Sequence, residues 1–140
     1  MALERLADGS TQLKDDECTF TFTRLRPGTL VVRIEGKDSG QFGTLPIDQF
    51  REEMQRFGEL TLLIDARNGE VRAQNVIEVW GGFFKSNRLN LKSLHVLVGS
   101  KFMELTVGIT THLARMGRMV TVTTDAEAFE RAVEKARASD

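Results

Sequence analysis

The sequence predicts an α/β domain of order ββαβαβαβα: a mostly parallel sheet with one antiparallel N-terminal edge strand, and helices packed on it. Three observations lead there. The nearly continuous apolar runs at residues 60–64 and 94–98 have the character of central strands covered on both faces. The segments that follow them carry apolar residues every three or four positions, the helical period. Strands separated by helices are joined by right-handed crossovers, which pair them in parallel.

Residues 1–18 read as a flexible leader, because they offer few large apolar groups to anchor them. One domain is expected over 19–138. In "TFTFTRL" Phe20, Phe22 and Arg24 alternate with threonines at period two, a half-buried strand. Pro27 and Gly28 suit a tight reversal, so "LVVRIE" should return as the second arm of a hairpin. "GKDSGQFG" reads as loop. Thr44 is placed to cap a helix with Pro46 in its first turn, Ile47, Phe50, Met54 and Phe57 inward, and Gly58 as its stop.

After the buried run Leu60 to Ile64, the polar stretch from Asp65 reads as a turn. A helix from Ala73 to about Ser86 then places Val76, Ile77, Trp80, Phe83 and Phe84 on one face. Gly81 and Gly82 lie inside it at about 1 kcal/mol each against alanine, so close packing or an irregular helix is expected there. Leu94 to Val98 is the next strand and Gly99–Ser100 its turn. A further helix carries Met103, Val107, Thr110, Leu113 and Ala114 inward and stops at Gly117. Met119 to Thr124 forms the last strand, and Asp125 caps a final helix with Phe129, Ala132, Val133 and Ala136 inward.

Composition narrows the function. The 140 residues balance 19 basic against 20 acidic side chains, so nothing draws the chain globally to nucleic acid or to an anionic membrane. The single cysteine, Cys18, forms no internal disulfide, zinc cluster or redox pair, and a reducing cytoplasm fits best. No run approaches the roughly 20 apolar residues of a membrane helix.

Catalytic signatures are missing too. The glycines of "GKDSGQFG" lack the Gly-Lys-Ser/Thr ending of a phosphate loop, and no Gly-x-Ser-x-Gly elbow occurs. Cys18 lies outside the expected core. His95 and His112 stand far apart in sequence and read as structural. Of the acids near strand ends, Asp65, Glu70, Glu78, Glu104 and Asp125, Asp65 stands out: a carboxylate closing a buried strand must find partners. An Asx-type bond to the following N–H groups would supply one. No enzyme activity, cofactor or metal is expected.

With this element order, the strand "LTLLIDA" and the ending "SKFMELTVGITTHLARMGRMVTVTTDAEAFERAVE", residues 19–137 resemble the STAS domain of bacterial anti-sigma-factor antagonists. The resemblance implies a regulatory protein acting through a protein partner. That family carries a phosphorylatable serine at the start of its second helix; the alignment puts Gln74 and Asn75 there, and no Ser or Thr lies between Thr61 and Ser86. A partner would then be bound without a phosphoswitch. The expected partner face comprises Asp65, Arg72, Gln74, Asn75, Glu78, Ser100 and Lys101, and self-association through an aromatic patch is a further expectation. The alternative, implied by the lipid-carrier branch of the superfamily, is a small apolar ligand held by Trp80, Phe83, Phe84, Phe102 and Met103.

Overall fold

The computed structural model describes residues 3–71, 74–100 and 119–138. Among these residues seven strands form one sheet in simple sequence order: β1 (Glu4–Arg5), β2 (Thr11–Lys14), β3 (Cys18–Arg26), β4 (Thr29–Asp38), β5 (Leu60–Val71), β6 (Leu91–Val98) and β7 (Val120–Thr123). The pairings from β1 to β4 are antiparallel and those from β4 to β7 are parallel. Five strands, β2 and β4 to β7, therefore run one way and two run the other. The described helices are α1 (Leu45–Phe57), α2 (Gln74–Ser86) and α3 (Ala126–Ala138), with a 3₁₀ turn at Arg88–Asn90. None is long and apolar enough to cross a membrane. The helix expected from Phe102 to Gly117 lies outside the described residues.

Three expectations are corrected. Part of the supposed leader is sheet: β2 pairs with β3, Leu13 is completely buried, and the Ser10 and Thr23 hydroxyls hydrogen bond at 2.8 Å. The edge therefore comprises β1 and β2, not the "TFTFTRL" strand. One buried leucine is too little for a periodicity to register; the pairing comes from β3. Second, β5 does not end at Ile64. It runs to Val71, and residues 68–71 pair with Glu35 to Asp38 of a β4 that is longer than expected. These polar residues are extended because a neighbouring backbone completes their hydrogen bonds, which residue type alone does not reveal. Third, Cys18 is buried at 2% exposure, within the main core.

Alternation of side chains divides the sheet into two unlike faces. On one, Leu30, Val32, Leu62, Ile64, Leu94 and Val96 meet α1 and α2 through Ile47, Phe50, Met54, Phe83 and Phe84. Aromatic rings join this core: Trp80 lies edge-on to Phe50 at 5.3 Å, and Phe20 meets Phe42 at 5.6 Å. Each fully buried phenylalanine or leucine contributes about 1.5–3 kcal/mol. On the other face, Val31, Leu63 and Leu97 receive Phe129 and Val133 of α3.

Local signals behave unevenly. Gly58 ends α1 in the left-handed region (φ 84°), its N–H bonding the Met54 carbonyl at 2.8 Å. Asp125 caps α3 by accepting the Ala128 N–H at 3.1 Å. Thr44, however, makes no side-chain cap: its backbone is already helical (φ −89°, ψ −1°). α2 is continuous through Gly81 and Gly82, and a side chain at Gly82 would meet nothing within 4 Å. Close packing within the described residues is not the reason for that glycine.

Candidate functional site

The junction around Asp65 is a charge network between the sheet and α3. Asp65 pairs directly with Arg33 across β4 and β5, and a bulge follows at once: a step of two along β4 (33 to 35) matches a step of three along β5 (65 to 68). Period two puts Arg33 on the face of Val31, and Asp65 and Arg67 on the face of Leu63. Arg33 Nη1 donates to Asp65 Oδ2 and, at 3.1 Å, to Glu130 Oε1 of α3. Arg67 donates from Nη2 to Asp65 Oδ2 at 2.9 Å and to Glu130 Oε1 at 2.8 Å. Its backbone N–H adds a 3.3 Å bond to Asp65 Oδ1, the local bond expected of an aspartate at this point.

The Asp65 side chain is only 7% exposed. Burial alone would push its carboxyl upward. The Arg67 side chain, the Arg67 N–H and Arg33 outweigh that and hold it below the usual carboxylate range. An acid so held is ionised and fully occupied at neutral pH, a poor proton acceptor and a poor metal ligand. Among the described residues no three His, Cys, Asp or Glu side chains could hold a metal ion.

The other expected site residues do not gather around it. α2 lies on the opposite face of the sheet, so Asp65 and the exposed Glu78 are separated by the sheet itself. Gln74 and Asn75 open α2, and Ser100 is exposed after β6; Arg72, Lys101, Phe102 and Met103 lie outside the described residues. Trp80, Phe83 and Phe84 join the aromatic core, where Trp80 also meets Phe84 at 6.3 Å. The exposed surface of α2 and the turn after it carries Glu78, Val79 (45% exposed) and Leu89 (92% exposed).

His95 is held low by burial and then by the charge of Lys135, so its imidazole is neutral at pH 7. The Cys18 thiol is pushed up to about 12 by burial first, then by Asp38 and Asp15, which suppresses the thiolate. His112 and Glu104 lie outside the described residues.

Arg33, Arg67 and Glu130 were not singled out in the sequence, nor was the ion pair of Arg24 with Glu53. Arg24 donates to the 4%-exposed Glu53 through Nε at 2.8 Å and Nη2 at 2.6 Å, and the Gly28 N–H adds a third bond. A signal existed for this pair. Glu53 falls on the inner stripe between Phe50 and Met54, and Arg24 continues the inward register of Phe20 and Phe22.

Architecture and connectivity together define an α/β domain of STAS-like fold. A solved structure of the anti-sigma factor antagonist SpoIIAA in its unphosphorylated form matches with a TM-score of 0.50 and 13% identity, covering 81% of this chain and 95% of that one. The Bacillus cell fate determinant SpoIIAA in its phosphorylated form is also similar, at 15% identity, 81% and 98% coverage and a TM-score of 0.49. No protein-family model and no curated protein sequence matches the chain.

Proposed function

We propose that this is a non-enzymatic regulatory or scaffold protein that binds a protein partner through the exposed surface of α2 and the loops beside it, without a phosphorylatable switch. The observation that carries the reading is the division of labour on α2. Its inner side is spent on the aromatic core through Trp80, Phe83 and Phe84, while Glu78 and Val79 face outward. The STAS-like fold supports it, since the SpoIIAA structure with this architecture is that of an anti-sigma factor antagonist. A helix seated this firmly offers a preorganised surface, which limits the ordering cost of association. With no hydroxyl between Thr61 and Ser86, the start of α2 offers no phosphorylation site, and binding there does not depend on one. Arg72, Gln74, Asn75, Ser100 and Lys101 complete the proposed face by their nearness in sequence to the ends of α2 and β6. The ring-to-ring contacts of Trp80, Phe83 and Phe84 favour this reading over an apolar ligand held by the same side chains.

The test is affinity capture from the native host with wild-type protein and a Glu78→Lys, Val79→Lys variant. A protein recovered stoichiometrically by the wild type and lost with the variant, at unchanged unfolding midpoint, is the expected result. Recovery of the same proteins by both removes this face from consideration.

A further inference from the structure

Among the described residues the apolar seam of α3 is Phe129 and Val133 on Val31, Leu63 and Leu97, flanked by Leu25, Ala126, Ala132 and Ala136. α1 and α2 differ, being built into the ring cluster of Phe20, Phe50, Trp80 and Phe83. Beside the α3 seam, contact with the sheet passes to charge. Among the described residues Glu130 is the one member of the Asp65 network that comes from outside β4 and β5, and its carboxylate reaches both Arg33 and Arg67. Asp65 stays paired with both arginines whether or not Glu130 is present, so removing Glu130 strands no buried charge. The Glu130, Arg33 and Arg67 side chains are 43%, 37% and 35% exposed. Water and salt therefore reach this junction, unlike a fully buried pair.

We propose that α3 is a releasable cover, latched to the sheet through Glu130 on Arg33 and Arg67. It opens as a local unit while the strand ladder stays closed, uncovering Val31, Leu63 and Leu97. This reading is independent of the partner face on α2, because it concerns the opposite side of the sheet. Among the described residues, Asp65, which the arginines keep ionised, and His95, whose imidazole feels the charge of Lys135, also lie on this side, and α3 carries Glu127, Arg131, Glu134 and Arg137 besides. Around neutral pH the latch responds to ionic strength: raising salt weakens the Glu130 attraction more than the apolar seam.

Native-state hydrogen exchange of the full chain decides the matter. At low salt the amides of α3 are expected to exchange as a set, faster than those at the centres of β5 and β6. Glu130→Gln should speed the α3 set by roughly threefold to fivefold and leave the strands unchanged. High salt should bring the wild type towards the variant. Val133→Ala, which trims the seam and spares the latch, should speed α3 while keeping the wild-type salt response. Exchange of α3 at the strands' rate in the wild type, a Glu130→Gln profile identical to wild type, or a Val133→Ala variant that has lost its salt response would each overturn the proposal.

Discussion

Replacing Asp65 with alanine tests whether the charge network holds the domain together. The wild-type carboxylate accepts Arg33 Nη1, Arg67 Nη2 at 2.9 Å, Arg67 Nε at 3.2 Å and the Arg67 N–H at 3.3 Å. Deleting one partner of a buried ion pair costs about 3–5 kcal/mol, since the remaining charge is left uncompensated. Here the stranded arginines are 37% and 35% exposed and keep Glu130, so water and that carboxylate recover part of the loss. A destabilisation of about 2–3 kcal/mol follows, a sizeable part of a domain stability of about 5–15 kcal/mol. For a chain of this size it lowers Tm by about 6–9 °C. Urea unfolding followed by the fluorescence of Trp80, the single tryptophan, packed on Phe50, reads it directly. A loss below about 0.5 kcal/mol, the size of an ordinary surface ion pair, would show that the network is solvated and sink the argument.

The pH dependence has a defined sign. The Asp65 carboxyl lies below its ordinary value of 3.8 in the folded protein, so its contribution is present above 3.8 and is lost as pH falls through the lower folded value. The stability gap between wild type and Asp65→Ala should accordingly hold from neutral pH to about pH 5 and narrow towards about pH 2, and a gap that widens on acidification would contradict the assignment. Gly82→Ala should raise stability by about 0.5–1 kcal/mol in the same urea titration, since the helix is continuous and the added methyl meets nothing within 4 Å; a decrease would mean that the position is not helical in solution. Gly99→Ala should do the opposite, by about 1–3 kcal/mol, because its Cβ would stand 2.6 Å from the Arg67 carbonyl oxygen. Cys18 should resist an aromatic disulfide reagent at mildly alkaline pH in native protein and react promptly in urea; rapid native labelling would refute its burial.

Much of the architecture is legible from periodicity because burial is a property of single positions. Leu62, Leu63, Leu94 and Val96 appear inside by residue type alone, and Phe50, Met54, Phe129 and Val133 by helical spacing. Glycine at 58 and aspartate at 125 act through their own backbones, so their roles too can be read locally. β1, β2 and the outer half of β5 could not be, since their hydrogen bonds come from neighbouring strands rather than from their own side chains.

Asp65 shows the same boundary at the site. The sequence by itself established that a carboxylate follows the apolar run of a central strand, that it must be compensated, and that no hydroxyl follows before Ser86. Only the tertiary structure decided what compensates it. Register places Arg33 opposite, the bulge keeps Arg67 beside it, and α3 brings Glu130 from 65 positions further along the chain. A charge's partners depend on which backbones become neighbours, and that is settled by the packing of whole elements, whereas the need for a partner is settled by the chemistry of one residue.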